Sequence, residues 1–187
     1  MIPVEEASGE LKEVYELVKT PHGTVDNVMR AHSLRPHTMR GHVTLYRSVL
    51  HNPENVLPFW FLEVVASYTS HLNQCDYSFS HHFTNARNLI ANDEKSDLIM
   101  AGFEQKNPGL AFDGKEKALL DYTEKLTLNV GHMERADYDK LVEAGCSDGE
   151  ILEVNQVVAY FSYSNRLLNG LGVTTEGDTV GYYKKTD

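Results

Sequence analysis

The chain has 187 residues, 41% of them hydrophobic, a formal net charge of −10 and two cysteines. This length suits one domain with its own core, and the acidic balance disfavours nucleic acid and anionic membranes as partners. Two cysteines do not make a disulfide framework, and no apolar run approaches the roughly 20 residues that a membrane-spanning helix needs. The acidic, amphipathic start does not resemble a secretory signal, so we expect a cytoplasmic protein.

Apolar residues recur at helical spacing along most of the chain, and no alternating run is long enough to predict a strand. The predicted fold is therefore all-α, in a single domain over residues 1–187. Clusters of Pro, Gly and Asn end the predicted helices. In chain order, the helices are predicted at about 7–19, 26–31, 37–50, 58–68, 73–92, 96–102, 115–128, 134–144 and 151–169.

Three further signals lie between or after these helices. Lys106–Gly114 is rich in turn-forming residues and is the best linker candidate in the chain. Ser147 and Glu150 have the spacing of a capping box that opens the last long helix. Residues 174–187 are polar and contain glycines, so we predict a flexible tail or an arm that reaches a neighbouring subunit.

A group of potentially reactive side chains lies between residues 62 and 86. Asn73 is predicted to cap a helix whose first turn contains Cys75, where free N–H groups and the helix dipole favour a thiolate. Ser78 and His82 follow at i+3 and i+7, on the same helical face. A thiol, a hydroxyl and an imidazole are therefore predicted to converge in an apolar setting.

Glu63 is the one carboxylate in the apolar run 59–68. Burial of a carboxylate without a partner is costly, so a functional role is favoured over an ordinary solvated charge. His82 fits as a proton relay between Glu63 and a reacting group, because imidazole titrates near neutral pH; alternatively, it caps a buried polar cluster. Tyr77 is predicted to donate a hydrogen bond to the substrate or to Glu63, or only to pack.

Cys75 has two interpretations that the sequence leaves open. As a thiolate, it would attack a hydroperoxide, become a sulfenic acid and be reduced by an external thiol. As a small buried hydrophobe, the usual state of a free cysteine, it would have no chemistry. Cys146 has no Glu or His at matching spacing and is interpreted as structural.

The histidines do not predict a metal site. His71, His81 and His82 lie near Glu63 in sequence, but no HExxH or H-x3-H pair gives a clean set of three ligands. We therefore predict neither a metal nor another cofactor. Three upstream histidines are interpreted as surface residues or subunit contacts: His32, His37 and His42.

The spacing of Glu63, Cys75, Tyr77 and His82 resembles the signature E-x11-C-x-[HY]-C-x3-H of the alkylhydroperoxidase-D-like proteins, within the carboxymuconolactone decarboxylase superfamily. The adjacent His81 is similar to a subgroup known as peroxidase-related enzymes, and the similarity extends over roughly residues 25–173. The resemblance implies antiparallel helices packed around Glu63, Cys75 and His82. It also implies a homo-oligomer, built on trimers or on dimers that assemble into hexamers.

One position departs from this signature, because Ser78 stands where the family has its second cysteine. In two-cysteine members that residue is the thiol that attacks peroxide, and the partner at the position of Cys75 completes a disulfide. No such disulfide can form here, so Cys75 would be the only redox-active thiol of the site.

The resemblance leaves three functions open. The first is an antioxidant peroxidase that reduces a hydroperoxide through Cys75, with His82 and Glu63 managing the proton and an external thiol as reductant. The second is a non-redox enzyme in which His82 and Glu63 transfer a proton on a small carboxylated lactone. The third is a catalytically silent homologue. The lactone would need a cationic partner, for which the candidates are Arg40, Arg47, Arg87 and Arg166.

Overall fold

The computed structural model describes residues 1–183, and within this range the chain is entirely helical, as predicted. Three short 3₁₀ turns accompany the α-helices: Val4–Glu6, Pro108–Leu110 and Val130–His132. The nine α-helices of this range are α1 (Gly9–Leu17), α2 (Asn27–Arg30), α3 (Pro36–Leu50), α4 (Phe59–Leu72), α5 (Asp76–Ile90), α6 (Asp93–Glu104), α7 (Gly114–Leu128), α8 (Arg135–Glu143) and α9 (Asp148–Leu171). Among them, none is long and apolar enough to cross a membrane.

The fold is built around α4, because its sequence is apolar on nearly every side and a helix of that kind must be buried. It packs against α5, α7 and α9. Five of its larger apolar side chains have no exposed surface and lie in the main hydrophobic core: Phe61, Leu62, Val64, Val65 and Tyr68. Full burial of one such large side chain contributes about 1.5–3 kcal/mol, so the layer around α4 is a main source of stability.

A tight connection of residues 73–75 returns the chain from α4 into α5. Gln74 has a φ of +53°, and the N–H of Cys75 donates to the Ser70 carbonyl at 2.9 Å. The end of α4 and the first turns of α5 therefore lie side by side. This hairpin allows side chains of α4 to contact side chains of α5 directly.

The helix α9 begins at the predicted capping box. The Glu150 N–H donates to Ser147 Oγ at 3.3 Å, and the Ser147 N–H donates to Glu150 Oε2 at 2.8 Å. α9 packs against α3, α4 and α7, and it ends at Gly172, whose φ of +63° suits a residue without Cβ. The local sequence signal thus positions a helix that borders the site.

The predicted linker, Lys106–Gly114, is packed onto the core. It contains the 3₁₀ turn Pro108–Leu110, and Phe112 is buried against the rings of Trp60 and Phe61. The segment therefore connects α6 to α7 without separating two independent cores.

Residues 174–183, here called the strap, lie across the chain's own helices. The Asn27 side-chain amide in α2 donates to two strap carbonyls, both at 2.9 Å. On α5, Asn85 Oδ1 accepts from the N–H of Tyr182 at 2.8 Å. The flexible tail predicted over 174–187 includes four residues that lie outside the described part of the chain.

Gly181 is where the strap approaches α5 most tightly. Its φ is +79°, and a methyl group added there would lie 2.5 Å from Thr84 Cγ2. Gly181→Ala is therefore expected to weaken strap docking by roughly 1–3 kcal/mol, through backbone strain and overpacking. Gly177→Ala is the matched control, since Gly177 has a φ of +86° with nothing within 4 Å. Limited proteolysis should cut the strap faster in the Gly181 variant, and equal rates would contradict this account.

Candidate active site

A cavity of about 400 Å³ lies between α3, α5, α9 and the strap. This volume suits a small organic molecule. Much of its wall is aromatic: Tyr46, Tyr77, Tyr160, Phe161, Tyr182 and Tyr183. Its polar groups include one aspartate, two serines and four histidines: Asp26, Ser78, Ser164, His42, His51, His81 and His82.

The polar centre of this cavity is a pair formed across the α4–α5 hairpin. Glu63 Oε2 and His82 Nδ1 are 2.6 Å apart, and Glu63 has no exposed surface. The Asn85 amide donates to the other carboxylate oxygen, Oε1, at 3.2 Å. Because a carboxylate only accepts hydrogen bonds, Nδ1 carries the imidazole proton and Nε2 is an acceptor. Among the described residues, Nε2 has no hydrogen-bond partner.

Aromatic contacts fix the orientation of His82. Its ring meets Phe161 edge-on with centroids 4.6 Å apart, and it meets Tyr46 in the same manner at 6.3 Å. The His82 side chain is 12% exposed, whereas the Glu63 side chain is fully buried. The imidazole therefore stands between the buried carboxylate and the cavity, as a proton relay requires.

Ser78 lies one helical turn before His82 and also lines the cavity. Its Oγ is 2.9 Å from Ser70 Oγ. Ser70 gives its single hydroxyl proton to the Ala66 carbonyl at 2.8 Å, so Ser78 is the donor to Ser70. No basic group receives the Ser78 proton, which leaves this hydroxyl as a ligand acceptor and not as an activated nucleophile.

Cys75 differs from its prediction in position. Asn73 ends α4, and Cys75 is the N-cap residue of α5, outside the first turn. It is 1% exposed, packs against Leu168 and does not line the cavity. Burial raises the pKa of its thiol, an effect that the N–H of Ser78 and the Asn165 amide only partly offset. Of the two interpretations that the sequence left open for Cys75, its burial favours the small hydrophobe, because desolvation outweighs the helix N-terminus.

Tyr77 contacts the strap instead of Glu63. Its hydroxyl donates to Asp178 Oδ2 at 2.6 Å and accepts from the Val28 N–H at 3.2 Å. Burial and the bond to Asp178 raise the pKa of Tyr77, so the hydroxyl stays protonated. Tyr77 was predicted to donate to the substrate or to Glu63, and its hydroxyl does not donate to Glu63.

Three other cavity histidines are held uncharged. Burial lowers the pKa of His42 to about 4 and that of His81 to about 4, and it also lowers the pKa of His51. His42 Nε2 bonds the Tyr160 hydroxyl at 2.9 Å, and its buried Nδ1 has no hydrogen-bond partner within residues 1–183. The interpretation of His32 and His42 as surface residues is wrong, because they are 6% and 3% exposed.

Sequence patterns missed several cavity residues. Asn85 follows His82 by three positions, so helical spacing would have indicated it. Asp26 gives no such signal, because its neighbour Asp178 is far away in the sequence and approaches it only when the strap lies across α2. Of the four arginines considered for a carboxylate, Arg47 alone lines the cavity, and it donates to the Leu17 carbonyl at 2.9 Å. Within residues 1–183, no three ligating side chains are arranged to hold a metal ion.

No protein-family model matches the sequence, and no curated protein is a significant match. Solved structures do match. A peroxidase-related protein from Ralstonia eutropha JMP134, described as an alkylhydroperoxidase AhpD core, has a TM-score of 0.77 at 22% identity, covering 92% of this chain and 90% of its own. A peroxidase-related protein from Silicibacter sp. TM1040 also has a TM-score of 0.77, at 21% identity, with coverage of 93% and 87%.

A debrominase belongs to the same group of folds. The structure of Bmp8 in complex with 2,3,4-tribromopyrrole has a TM-score of 0.72 at 18% identity, covering 90% of this chain and 86% of its own. At these identities the likeness shows the fold alone. The chain therefore has the AhpD-like helical fold that the motif resemblance implied, with a Glu–His pair facing its cavity.

Proposed function

We propose that this chain is an enzyme that transfers a proton to or from a small, ring-containing organic substrate. The observation that carries the proposal is the 2.6 Å contact between buried Glu63 and His82 Nδ1, which leaves Nε2 toward an aromatic cavity. Ser78 lines this cavity at the position of the second cysteine in the signature that the sequence resembles, and Cys75 does not line it. Proton transfer needs no thiol, whereas thiol-based peroxide reduction needs one that the substrate can reach.

Glu63 supports the basicity of His82 in three ways. It selects the tautomer with the proton on Nδ1, it holds the ring in one orientation, and it stabilises the imidazolium that forms when Nε2 takes a proton. Glu63 is fully buried, so water reaches the pair only from the side of His82.

The cavity lining favours a planar, mostly uncharged ring. Aromatic walls bind such rings through offset or edge-on contacts, and the neighbouring histidines are neutral. A debrominase of the same fold binds 2,3,4-tribromopyrrole, which supports a substrate of this size. A carboxylated lactone also fits this class, since Arg47 lies at the cavity wall.

Proton abstraction can be tested with 5-nitrobenzisoxazole, a planar ring that loses a carbon-bound proton to a base as its N–O bond breaks. We expect the wild-type chain to accelerate this reaction and His82→Gln to lose about 10²–10⁴-fold of kcat/KM. Glutamine can still bond Glu63, so the fold is retained. His37→Gln is the matched control, because His37 is exposed on α3. Equal rates in wild type and His82→Gln would contradict the proposal.

Thiol peroxidase chemistry is the second candidate function. It is supported by the peroxidase-related proteins of the same fold and by the position of Cys75 three residues before cavity-lining Ser78. It requires Cys75 to become exposed and ionised, against its burial. Consumption of an organic hydroperoxide with a dithiol reductant, compared with Cys75→Ala, tests it. Turnover lost in the variant would establish this chemistry, and turnover in neither protein would exclude it.

A further inference from the structure

Asp26 is an ionisable group of the cavity that the proposed reaction has not yet used. It occupies the N-cap position of α2, but its side chain does not cap that helix. It is 4% exposed and lines the cavity, and its Oδ1 has no hydrogen-bond partner among the described residues. Burial of a polar atom without a hydrogen-bond partner costs free energy, and a ligand that forms a hydrogen bond with this atom would remove the cost.

Asp178 of the strap affects the protonation of Asp26. The Asp178 carboxylate accepts from the Tyr77 hydroxyl at 2.6 Å and from the Asn27 N–H at 3.0 Å. Burial, and then the charge of Asp178, raise the pKa of Asp26 to about 7. Asp26 therefore holds a proton near neutral pH but can release it, which is the condition for an acid catalyst.

The other titratable groups near Asp26 come from α2, α3 and α5. His81 Nε2 is 3.9 Å from Asp178 Oδ2, and burial keeps His81 neutral. Tyr46 of α3 lines the same cavity, and burial, followed by nearby charges that include Glu63 and Asp26, raises the pKa of its hydroxyl. Of the described residues, Asp178, Tyr46 and Tyr77 interact electrostatically with Asp26. His81 contacts Asp178, and Arg30 of α2 donates to the side chain of Asn27, which follows Asp26 in the sequence.

We propose that Asp26 is a second catalytic residue of this cavity, which gives its proton to one atom of the ligand while His82 takes a proton from another. The proposal rests on the proposed function, because it needs His82 as the base. The ligand class is a small ring with a removable C–H proton and an oxygen or nitrogen that becomes basic during the reaction. Lactones and N–O heterocycles have both features.

The step balances without an oxidant or reductant. The C–H bond breaks toward His82 Nε2, and its electron pair moves through the ring to the leaving oxygen. As the bond to that oxygen breaks, the Asp26 O–H proton passes to it. His82 ends as imidazolium and Asp26 as carboxylate, and the two protons exchange with solvent afterwards.

The test compares benzisoxazole with 5-nitrobenzisoxazole, whose leaving oxygen is less basic and needs the acid less. We expect Asp26→Asn to lower kcat/KM for benzisoxazole by about 10²-fold, and by less for the nitro compound. In the wild type, the rate should fall as the pH rises through about 7, because Asp26 loses its proton there. Asp26→Asn should lack that fall, whereas Asp113→Asn, at an exposed carboxyl group outside the cavity, should keep it.

Asp178→Asn tests whether Asp26 acts as an acid, because a purely structural role of Asp26 would leave the pH dependence of the rate unchanged. Removal of the neighbouring negative charge lowers the Asp26 pKa, so the fall in rate should shift to lower pH. Asparagine keeps an acceptor for Tyr77 and Asn27. An Asp26→Asn variant with wild-type pH dependence and the same rates with both rings would overturn the assignment.

The outcomes separate the two proposals. If His82→Gln is inactive and Asp26→Asn is unchanged, His82 is the base and Asp26 is not the acid. If His82→Gln keeps full activity, the proposed function fails. The role of Asp26 can then be tested by the binding of phenol at pH 8, which needs no catalytic turnover. We expect Asp26→Asn to bind phenol about tenfold more weakly, because the charge-assisted hydrogen bond from the phenol hydroxyl to the Asp26 carboxylate is lost. Equal affinity would overturn the role of Asp26.

Discussion

Replacement of His82 with leucine is expected to lower the free energy of unfolding by about 3–5 kcal/mol, far more than a partly exposed histidine normally would. Glu63 has no exposed surface, and its contact with His82 Nδ1 is 2.6 Å. Without the imidazole, the carboxylate keeps only the 3.2 Å bond from Asn85 and remains buried and uncompensated. Urea unfolding at neutral pH measures the loss.

The double variant Glu63→Leu/His82→Leu distinguishes the effect of the unpaired carboxylate from the effect of lost packing. It removes the stranded charge together with its partner, so it should recover most of the lost stability. His37→Leu on exposed α3 surface reports the effect of a histidine-to-leucine change by itself. If the single and double variants unfold at the same denaturant concentration, the pair does not hold a buried charge.

The second large effect is expected from Ser78→Cys, which should raise hydroperoxide turnover at least about 10²-fold in the presence of a dithiol. The new thiol would line the cavity one turn before His82 and three residues after Cys75, in the first turn of α5. Together with Cys75 it would form a Cys-x-x-Cys pair at a helix N-terminus, an arrangement known for reversible disulfides.

Two controls make this result specific. Ser70→Cys places a thiol on the other side of the same hydrogen bond, but Ser70 has no exposed surface and does not line the cavity, so no turnover is expected. Ser78→Cys combined with Cys75→Ala should lose the disulfide cycle. If Ser78→Cys gains nothing, the cavity differs from a dithiol site in more than one residue.

The fold was predictable because its signals are local. The apolar run of α4 requires a buried helix, and the Ser147–Glu150 spacing marks the start of α9. Likewise, Glu63 and His82 were predictable as partners because a short turn between two helices brings such positions together. In each case, residues close together in the sequence determine which side chains come into contact in the fold.

Other properties of the site depend on residues far away in the chain. The sequence left open whether Cys75 is an acidic thiol or a small buried hydrophobe, and its burial against Leu168 of α9 favours the second interpretation. Burial, and after it the charge of Asp178 that the strap brings across the molecule, raise the pKa of Asp26. Neither burial nor a charge contributed by a distant segment can be read from spacing within one helix.

The position of the strap also separates the formation of the fold from the formation of the site. All nine described α-helices precede residues 174–183 in the chain, so the core around α4 can close while the cavity still lacks Tyr182 and Tyr183. At that stage Glu63 and His82 are already paired across the α4–α5 hairpin, but Asp26 does not yet have the nearby charge of Asp178, which acts with burial to raise its pKa. The proton donation assigned to Asp26 would therefore begin only when the strap has docked, later than the completion of the hydrophobic core.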